Sequence, residues 1–261
     1  MPERIISLAP SNTEILFALG LGDKIVGVTT YCDYPPQAVE KPKIGGFSTP
    51  DIEKILALEP DLVVAANFHK DTVIPELERR GLNVVLVDPG NIDEAIDSIL
   101  LVGEKTGTSK EAQRLTSEIR ARIKAVTDKV ASLSENQKPR TLYITWHDPL
   151  WTLGDGTITN ELIELAGGVN IFANVSGNSQ TDLETVLARN PQVILASTGH
   201  GTAEDSPFAW ASTEERLSQT DARTNGRVYE VDANLVTRPG PRIAEGLEAI
   251  AKLIHPDIFG D

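Results

Sequence analysis

The chain has 261 residues, 40% of them hydrophobic and 24% charged, which is ordinary globular composition without a disorder signature. Its formal net charge of -14 argues against nucleic acid or an anionic membrane as principal partner and suits a solvated acidic surface. A single cysteine, Cys32, excludes an internal disulfide and a thiolate metal cluster, and no stretch approaches the ~18–20 apolar residues of a transmembrane helix.

Residues 4–9 are a short apolar run that reads as a strand, and Pro10-Ser11-Asn12-Thr13 opens a helix that Gly20 and Gly22 end. A second strand is predicted over 25–29. It leads into the turn Tyr31-Cys32-Asp33-Tyr34-Pro35-Pro36-Gln37 and a loop over 43–50 that carries Phe47. Helices over 51–58, 72–80 and 92–105 then alternate with strands over 61–66 and 83–87. Such alternation, with nearly continuous apolar strands, predicts a parallel sheet covered on both faces.

Residues 108–136 contain neither Gly nor Pro, and Ala112, Leu115, Ile119, Ile123, Val126, Val130 and Leu133 recur at spacings of three and four. That is one amphipathic helix, roughly 35–40 Å long at ~1.5 Å per residue, longer than a crossover needs. Beyond it come a strand over 140–145 and a loop over 146–156 holding Trp146, His147 and Trp151. A helix over 158–166 follows, then a segment over 171–181 that is mostly loop. A helix over 181–189 and a strand over 192–197 precede a long polar irregular segment over 199–224 with Phe208 and Trp210. The chain closes with a strand over 228–231, a loop over 234–242 and a helix over 243–254.

The two flanks of the long helix echo each other. Residues 51–66 and 182–197 share Asp51/Asp182, Glu53/Glu184, Leu56/Leu187, Ala57/Ala188, Pro60/Pro191 and Ala65/Ala196. Residues 12–20 resemble 159–167, and 86–88 resemble 230–232, in the same order. Three echoes in register predict two related α/β halves. The expected organisation is an amino-terminal Rossmann-like lobe over 1–107, a connecting helix over 108–136 and a carboxyl-terminal lobe over 137–261.

Aromatic residues are only 5% of the chain, so their placement is informative. Tyr31, Tyr34, Phe47, Trp146, Trp151, Phe208 and Trp210 fall in segments that follow strand ends, where open α/β sheets bind ligands. A large, flat, partly apolar ligand fits that pattern. His69, His147 and His200 also follow strands, but without a His-x-x-x-His or Cys/His pair they read as polar rim residues, His147 the most interesting of them. Arg238, displayed by the turn Arg238-Pro239-Gly240-Pro241-Arg242, either satisfies backbone carbonyls or bonds a ligand's amide, carboxylate or phosphate. Glu53 and Glu184, in the first turns of equivalent helices, are explained by capping and the helix dipole; duplicated, they also make two acidic knobs suited to a basic partner. There is no G-x-S-x-G elbow and no phosphate loop, and Gly20-Leu21-Gly22 follows a helix rather than a strand, so no catalytic residue or catalytic cofactor is assigned.

Several stretches resemble the ABC-transporter substrate-binding proteins whose lobes are joined by one long helix, and within them the cobalamin (vitamin B12) binders. They are residues 6–14, the Tyr31-Cys32-Asp33-Tyr34-Pro35-Pro36-Gln37 turn, the repeated helix–strand units, residues 167–172 and Arg238-Pro239-Gly240-Pro241-Arg242. The resemblance implies a corrinoid held edge-on between the lobes, met by Tyr31 and Phe47 on one side and Trp151, Asn234 and Arg238 on the other. It implies that Glu53 and Glu184 dock arginines of two permease subunits. It also implies an extracytoplasmic location, with an export signal removed ahead of a start that lacks one. Phe47 and Asn178 stand where such proteins carry Trp, and Asn67 where they carry an aromatic residue; Trp146 and Trp210 are the candidates to restore the stacking surface. A siderophore or haem receptor of the same fold is the alternative, with Tyr31 or His147 as iron ligand. A cytosolic corrinoid-handling protein or an α/β enzyme is the reading from another class.

Overall fold

The computed structural model describes residues 1–198 and 205–260. The chain forms two compact units, Met1–Ile119 with Pro239–Pro241, and Arg120–Arg238 with Arg242–Asp261.

The first unit is built on β1 (Ile5–Ser7), β2 (Ile25–Val28), β3 (Leu62–Ala66) and β4 (Val84–Val87), in the order β2-β1-β3-β4 and parallel throughout. Its helices are α1 (Pro10–Ala18), α2 (Ile52–Ala57), α3 (Val73–Arg79) and α4 (Ile92–Thr106). One face of the sheet presents Ile6, Leu8, Val63 and Ala65 to Ile55 of α2 and Leu77 of α3. Ile5 and Val64, at alternate strand positions, are equally buried, as are Ile15 and Leu16 of α1 and Ile96 and Ile99 of α4. Continuous apolar strands are thus explained by burial on both faces.

α5 (Ser109–Val130) follows, and the boundary between the units falls inside it, between Ile119 and Arg120. Ala112, Ile119, Val126 and Val130 of its apolar stripe are buried, and Leu115 and Ile123 half-buried. The helix stops six residues short of the expected end. Ser134 begins a 3-10 turn instead, its hydroxyl donating to Gln137 Oε1 at 2.8 Å. A serine that can bond locally competes with helix continuation, and three such polar residues fall among 132–136.

The second unit repeats the first. Its main sheet contains β5 (Arg140–Ile144), β8 (Val169–Asn170), β10 (Val193–Ser197) and β11 (Val228–Val231), in the parallel order β8-β5-β10-β11. Taking α6 (Ile158–Leu165) with α1, α7 (Leu183–Arg189) with α2, and the strands in chain order, this is the topology of the first unit position by position. Both α1 and α6 are left through a glycine in the left-handed region, Gly20 at φ 77° and Gly167 at φ 79°.

The amino ends of the two sheets carry the same clasp. The Arg4 N–H donates to Asp61 Oδ1 at 3.0 Å, and the Arg140 N–H to Gln192 Oε1 at 3.0 Å. Each arginine also turns its Nε onto the carbonyl of a left-handed residue, Glu59 (φ 44°) at 3.1 Å and Asn190 (φ 41°) at 2.9 Å. Both of those residues precede the shared prolines, Pro60 and Pro191.

Three segments differ from what the sequence predicts. Trp146 and Trp151 lie not in a loop but in a hairpin of β6 (Trp146–His147) and β7 (Leu150–Leu153), which β9 (Asn178–Gln180) extends into an antiparallel three-stranded sheet. These strands are too short for a period to register. Trp210 lies in α8 (Pro207–Thr213), capped by the Ser206 hydroxyl and opened by a proline, and α9 (Asp221–Thr224) follows it. Asn234 lies in α10 (Ala233–Thr237), for which Asp232 is the cap. The chain ends with α11 (Ile243–Ile254) and α12 (Pro256–Phe259). No helix among the described residues is long and apolar enough to cross a membrane.

Candidate functional site

In the first unit the candidate surface grows from the loops after β2 and β3. Buried Cys32 accepts a hydrogen bond from the Thr13 hydroxyl at 3.1 Å, which fixes the turn while its neighbours Tyr31 and Tyr34 stay exposed. Gly45, at φ 105°, lets the next loop double back: a Cβ there would lie 2.8 Å from the Thr49 carbonyl oxygen. That turn places Phe47 beside the segment following β3. Its ring centroid lies 5.4 Å from Phe68 and 5.1 Å from His69, the latter edge-on. Phe68 is 60% exposed and His69 wholly buried.

His69 is therefore not a rim histidine. Its Nδ1 accepts the Ala66 N–H at 3.1 Å, so the proton sits on Nε2, which donates to the Phe47 carbonyl at 2.7 Å. The ring buttresses the phenylalanine loop with both nitrogens committed. Phe68 escaped the sequence reading, although it sits directly after the aromatic-poor Asn67 and follows a repeated strand.

In the second unit the sequence candidates after β5 and β10 come together. Trp146 and Trp151 are opposite partners across the β6–β7 hairpin and so share a face. The Trp146 Nε1–H donates to the Asp148 carbonyl at 2.8 Å. The His147 ring lies 4.7 Å from Trp146 and stacks on Trp210 at 5.8 Å. Its Nε2 is 3.0 Å from Asp205 Oδ1, and its Nδ1 is buried without a hydrogen-bond partner. The His147 ring is thus held between two indoles and bonded to a carboxylate. His200 lies outside the described residues.

Asn234 lies on α10 after β11 and Arg238 directly follows that helix, both half-buried, and the Asn234 N–H is fixed by Asp232 Oδ1 at 2.9 Å. All these residues lie at the carboxyl ends of their strands, as the crevice rule for α/β sheets requires. Among the described residues no group of three or more His, Cys, Asp or Glu is arranged to hold a metal ion.

Glu53 and Glu184 occupy the first turns of α2 and α7, whose starts lie at those same carboxyl ends because each helix runs back toward the next strand. Both are exposed; the nearest cation to Glu53 is Arg80, at 3.9 Å. Beside them Asp51 and Asp182 cap the helices, accepting from the Lys54 N–H at 3.1 Å and the Thr185 N–H at 2.7 Å. These backbone bonds hold both aspartates below the usual carboxylate range.

Known proteins share this architecture. The ABC transporter substrate-binding lipoprotein YvrC of Bacillus subtilis is 35% identical over 264 residues, covering 99% of this chain and 82% of that protein. The vitamin B12-binding protein of Vibrio cholerae is 36% identical over 250 residues, 95% of this chain and 87% of that one. The solved structure of the periplasmic vitamin B12-binding protein of Vibrio cholerae matches with a TM-score of 0.83 at 34% identity, over 98% of this chain and 97% of that chain. The periplasmic haem-binding protein RhuT of Roseiflexus sp. RS-1, in apo form, matches with a TM-score of 0.84 at 25% identity, over 98% and 99%. The family model for periplasmic binding proteins matches residues 5–235. With two parallel α/β units of one topology and a family match over most of its length, the chain belongs to the periplasmic binding protein family.

Proposed function

We propose that this protein is an extracytoplasmic receptor that captures a corrinoid, cobalamin or cobinamide, and delivers it to the permease subunits of an ABC importer. The observation that carries the reading is the aromatic character of the carboxyl ends of both sheets: Tyr31, Phe47 and Phe68 in one unit, Trp146, Trp151 and Trp210 in the other. A corrin ring offers broad apolar faces to such side chains and a periphery of amides to Asn234 and Arg238. An anionic siderophore would call for several cations, and Arg238 is the one that the sequence places there. The similarity to the Vibrio cholerae vitamin B12-binding protein supports the same ligand. The lipoprotein relative supports a location outside the cytoplasm. Glu53 and Glu184 are the docking points for basic residues of the permease, and binding requires no catalytic group.

Haem is the second reading, favoured by the 63% exposure of Tyr31, a phenol able to ligate iron. The test is a visible spectrum after mixing with cyanocobalamin and desalting, with haem and a ferric siderophore in parallel. Corrinoid colour co-eluting at about one per chain is the expected outcome. Retention of haem alone would replace the ligand while keeping the receptor, and retention of nothing would remove both.

A further inference from the structure

The small antiparallel sheet of the second unit carries a polar side chain in line with its tryptophans. Across the β6–β7 hairpin Trp146 lies opposite Trp151, and across β7 and β9 Trp151 lies opposite Gln180. Directly opposite residues of antiparallel strands share a face, so two indoles and one carboxamide form a single row. The face is the outer one. Leu150 and Thr152, at alternate positions of β7, are buried, and Leu150 belongs to the core. Trp151 and Leu153 are half-buried and Gln180 is exposed.

The hydrogen bonds of the ladder fix how near the members of the row come. The Thr181 N–H donates to the Leu150 carbonyl at 2.9 Å, and the Gly154 N–H to the Gly177 carbonyl at 2.8 Å. Those two pairs are bonded, so by alternation Trp151/Gln180 and Leu153/Asn178 are unbonded pairs. In such pairs the Cα atoms are about 4.5 Å apart and the side chains at their closest. The same alternation turns the backbone N–H and C=O of Gln180 away from β7, off the free edge of the sheet. Among the described residues nothing bonds to these groups or to the Gln180 side chain. Gln180 thus borders an apolar platform with its donors and acceptors unclaimed.

A flat ring lying on Trp146 and Trp151 presents its rim to Gln180. A glutamine carboxamide has two N–H donors and an acceptor oxygen, so it pairs in both directions with a rim group that also donates and accepts. We infer that Gln180 is a ligand-binding residue of the second unit, which hydrogen-bonds the polar rim of the ring held by the tryptophans. The inference rests on the corrinoid reading given above, in which that rim is a periphery of primary carboxamides. Asn178, opposite Leu153, lies outside the row.

The test is titration calorimetry of the full chain and its Gln180→Met variant. The ligands are cyanocobalamin and the heptamethyl ester of dicyanocobyrinic acid, whose rim carries carbonyls but no N–H. Methionine keeps an unbranched stem beside Trp151 and removes the polar groups. Failure of the unmodified chain to bind cyanocobalamin would sink the corrinoid reading itself. Given binding, the variant is expected to hold cyanocobalamin roughly tenfold more weakly, the loss of about two neutral hydrogen bonds. For the ester the same replacement should cost no more than about threefold, because one direction of pairing is already missing. The melting temperature should not change, since the position is exposed. Cyanocobalamin affinity within about twofold of the unmodified chain would overturn the assignment and leave the receptor reading standing. An equal penalty for both ligands would overturn it as well, since Gln180 would then act on the shape of the hairpin. If the ester did not bind, the cyanocobalamin comparison would decide alone; if the variant did not fold, Gln180→Ala would take its place.

Discussion

His69 Nε2 donates to the carbonyl of Phe47 across 2.7 Å while its other nitrogen holds the Ala66 N–H, so one buried imidazole ties together the loops after two strands. His69→Ala strips partners from both backbone groups. Such losses cost about 1–3 kcal/mol each when the groups stay buried, and about 2 kcal/mol in total is expected here because water can reach the loop. Urea unfolding measures that loss. Cyanocobalamin affinity should fall as well, through the freed Phe47, although His69 itself faces away from solvent. Unchanged affinity in the variant would mean that the position of Phe47 is irrelevant to the ligand.

Phe68 separates binding from folding. Its ring is 60% exposed, so Phe68→Ala should change stability by no more than about 0.5 kcal/mol. As one of the few aromatic faces on the proposed surface, its removal should raise the corrinoid dissociation constant about tenfold, or ~1.4 kcal/mol. A binding isotherm beside a melting curve reads both quantities from one preparation.

Glu53 and Glu184 test delivery rather than capture. With both replaced by arginine, cyanocobalamin affinity is expected to stay within about twofold. Reversing a charge at the positive end of a helix costs roughly 0.3–1 kcal/mol, so a small drop in melting temperature should accompany the change. Corrinoid uptake through the cognate importer should be lost. Normal uptake by the double variant would remove these glutamates from the docking surface.

Stability should be flat above about pH 5 and fall below about pH 4. The Lys54 and Thr185 N–H groups lower the folded-state pKa values of Asp51 and Asp182, the Arg122 guanidinium lowers that of Glu248, and Arg216 takes Glu214 to about 2. For a depressed carboxylate the stabilisation is complete above its unfolded value and disappears as pH falls through the folded one, so the contribution of Glu214 persists to about pH 2. Asp51→Asn with Asp182→Asn keeps both caps, since asparagine caps as well as aspartate, but removes two titrating groups. The double variant should therefore show a shallower decline of melting temperature between about pH 4 and pH 2.5.

The frame was legible because its signals are local. β1 through β4, α2 and α7 announce themselves by apolar runs, aspartate caps and the prolines that follow, and the repeated residues mark equivalent places in two sheets. The site was legible only in outline. Trp210 was read as loop because a polar, aromatic stretch hid the cap and proline of α8, and His69 was read as rim because nothing in one sequence tells that its partner is a carbonyl 22 residues away. Phe68 is invisible for the same reason: its importance depends on Phe47, which only the turn at Gly45 brings to it.

The paired clasps of Arg4 and Arg140 divide the labour within each sheet. At the amino ends, both halves use an arginine, a left-handed residue before proline, and an acid or amide side chain in the same places. At the carboxyl ends the copies share the helix caps Asp51 and Asp182 and the glutamates beside them, but the loops differ: a tyrosine turn and two phenylalanines on one, an inserted hairpin and tryptophans on the other. The aromatic loops are where the two halves differ most. A binding protein of this kind can thus be retuned for a new cargo by rewriting loops at one rim, while the matching arginine clasps hold the opposite rim unchanged.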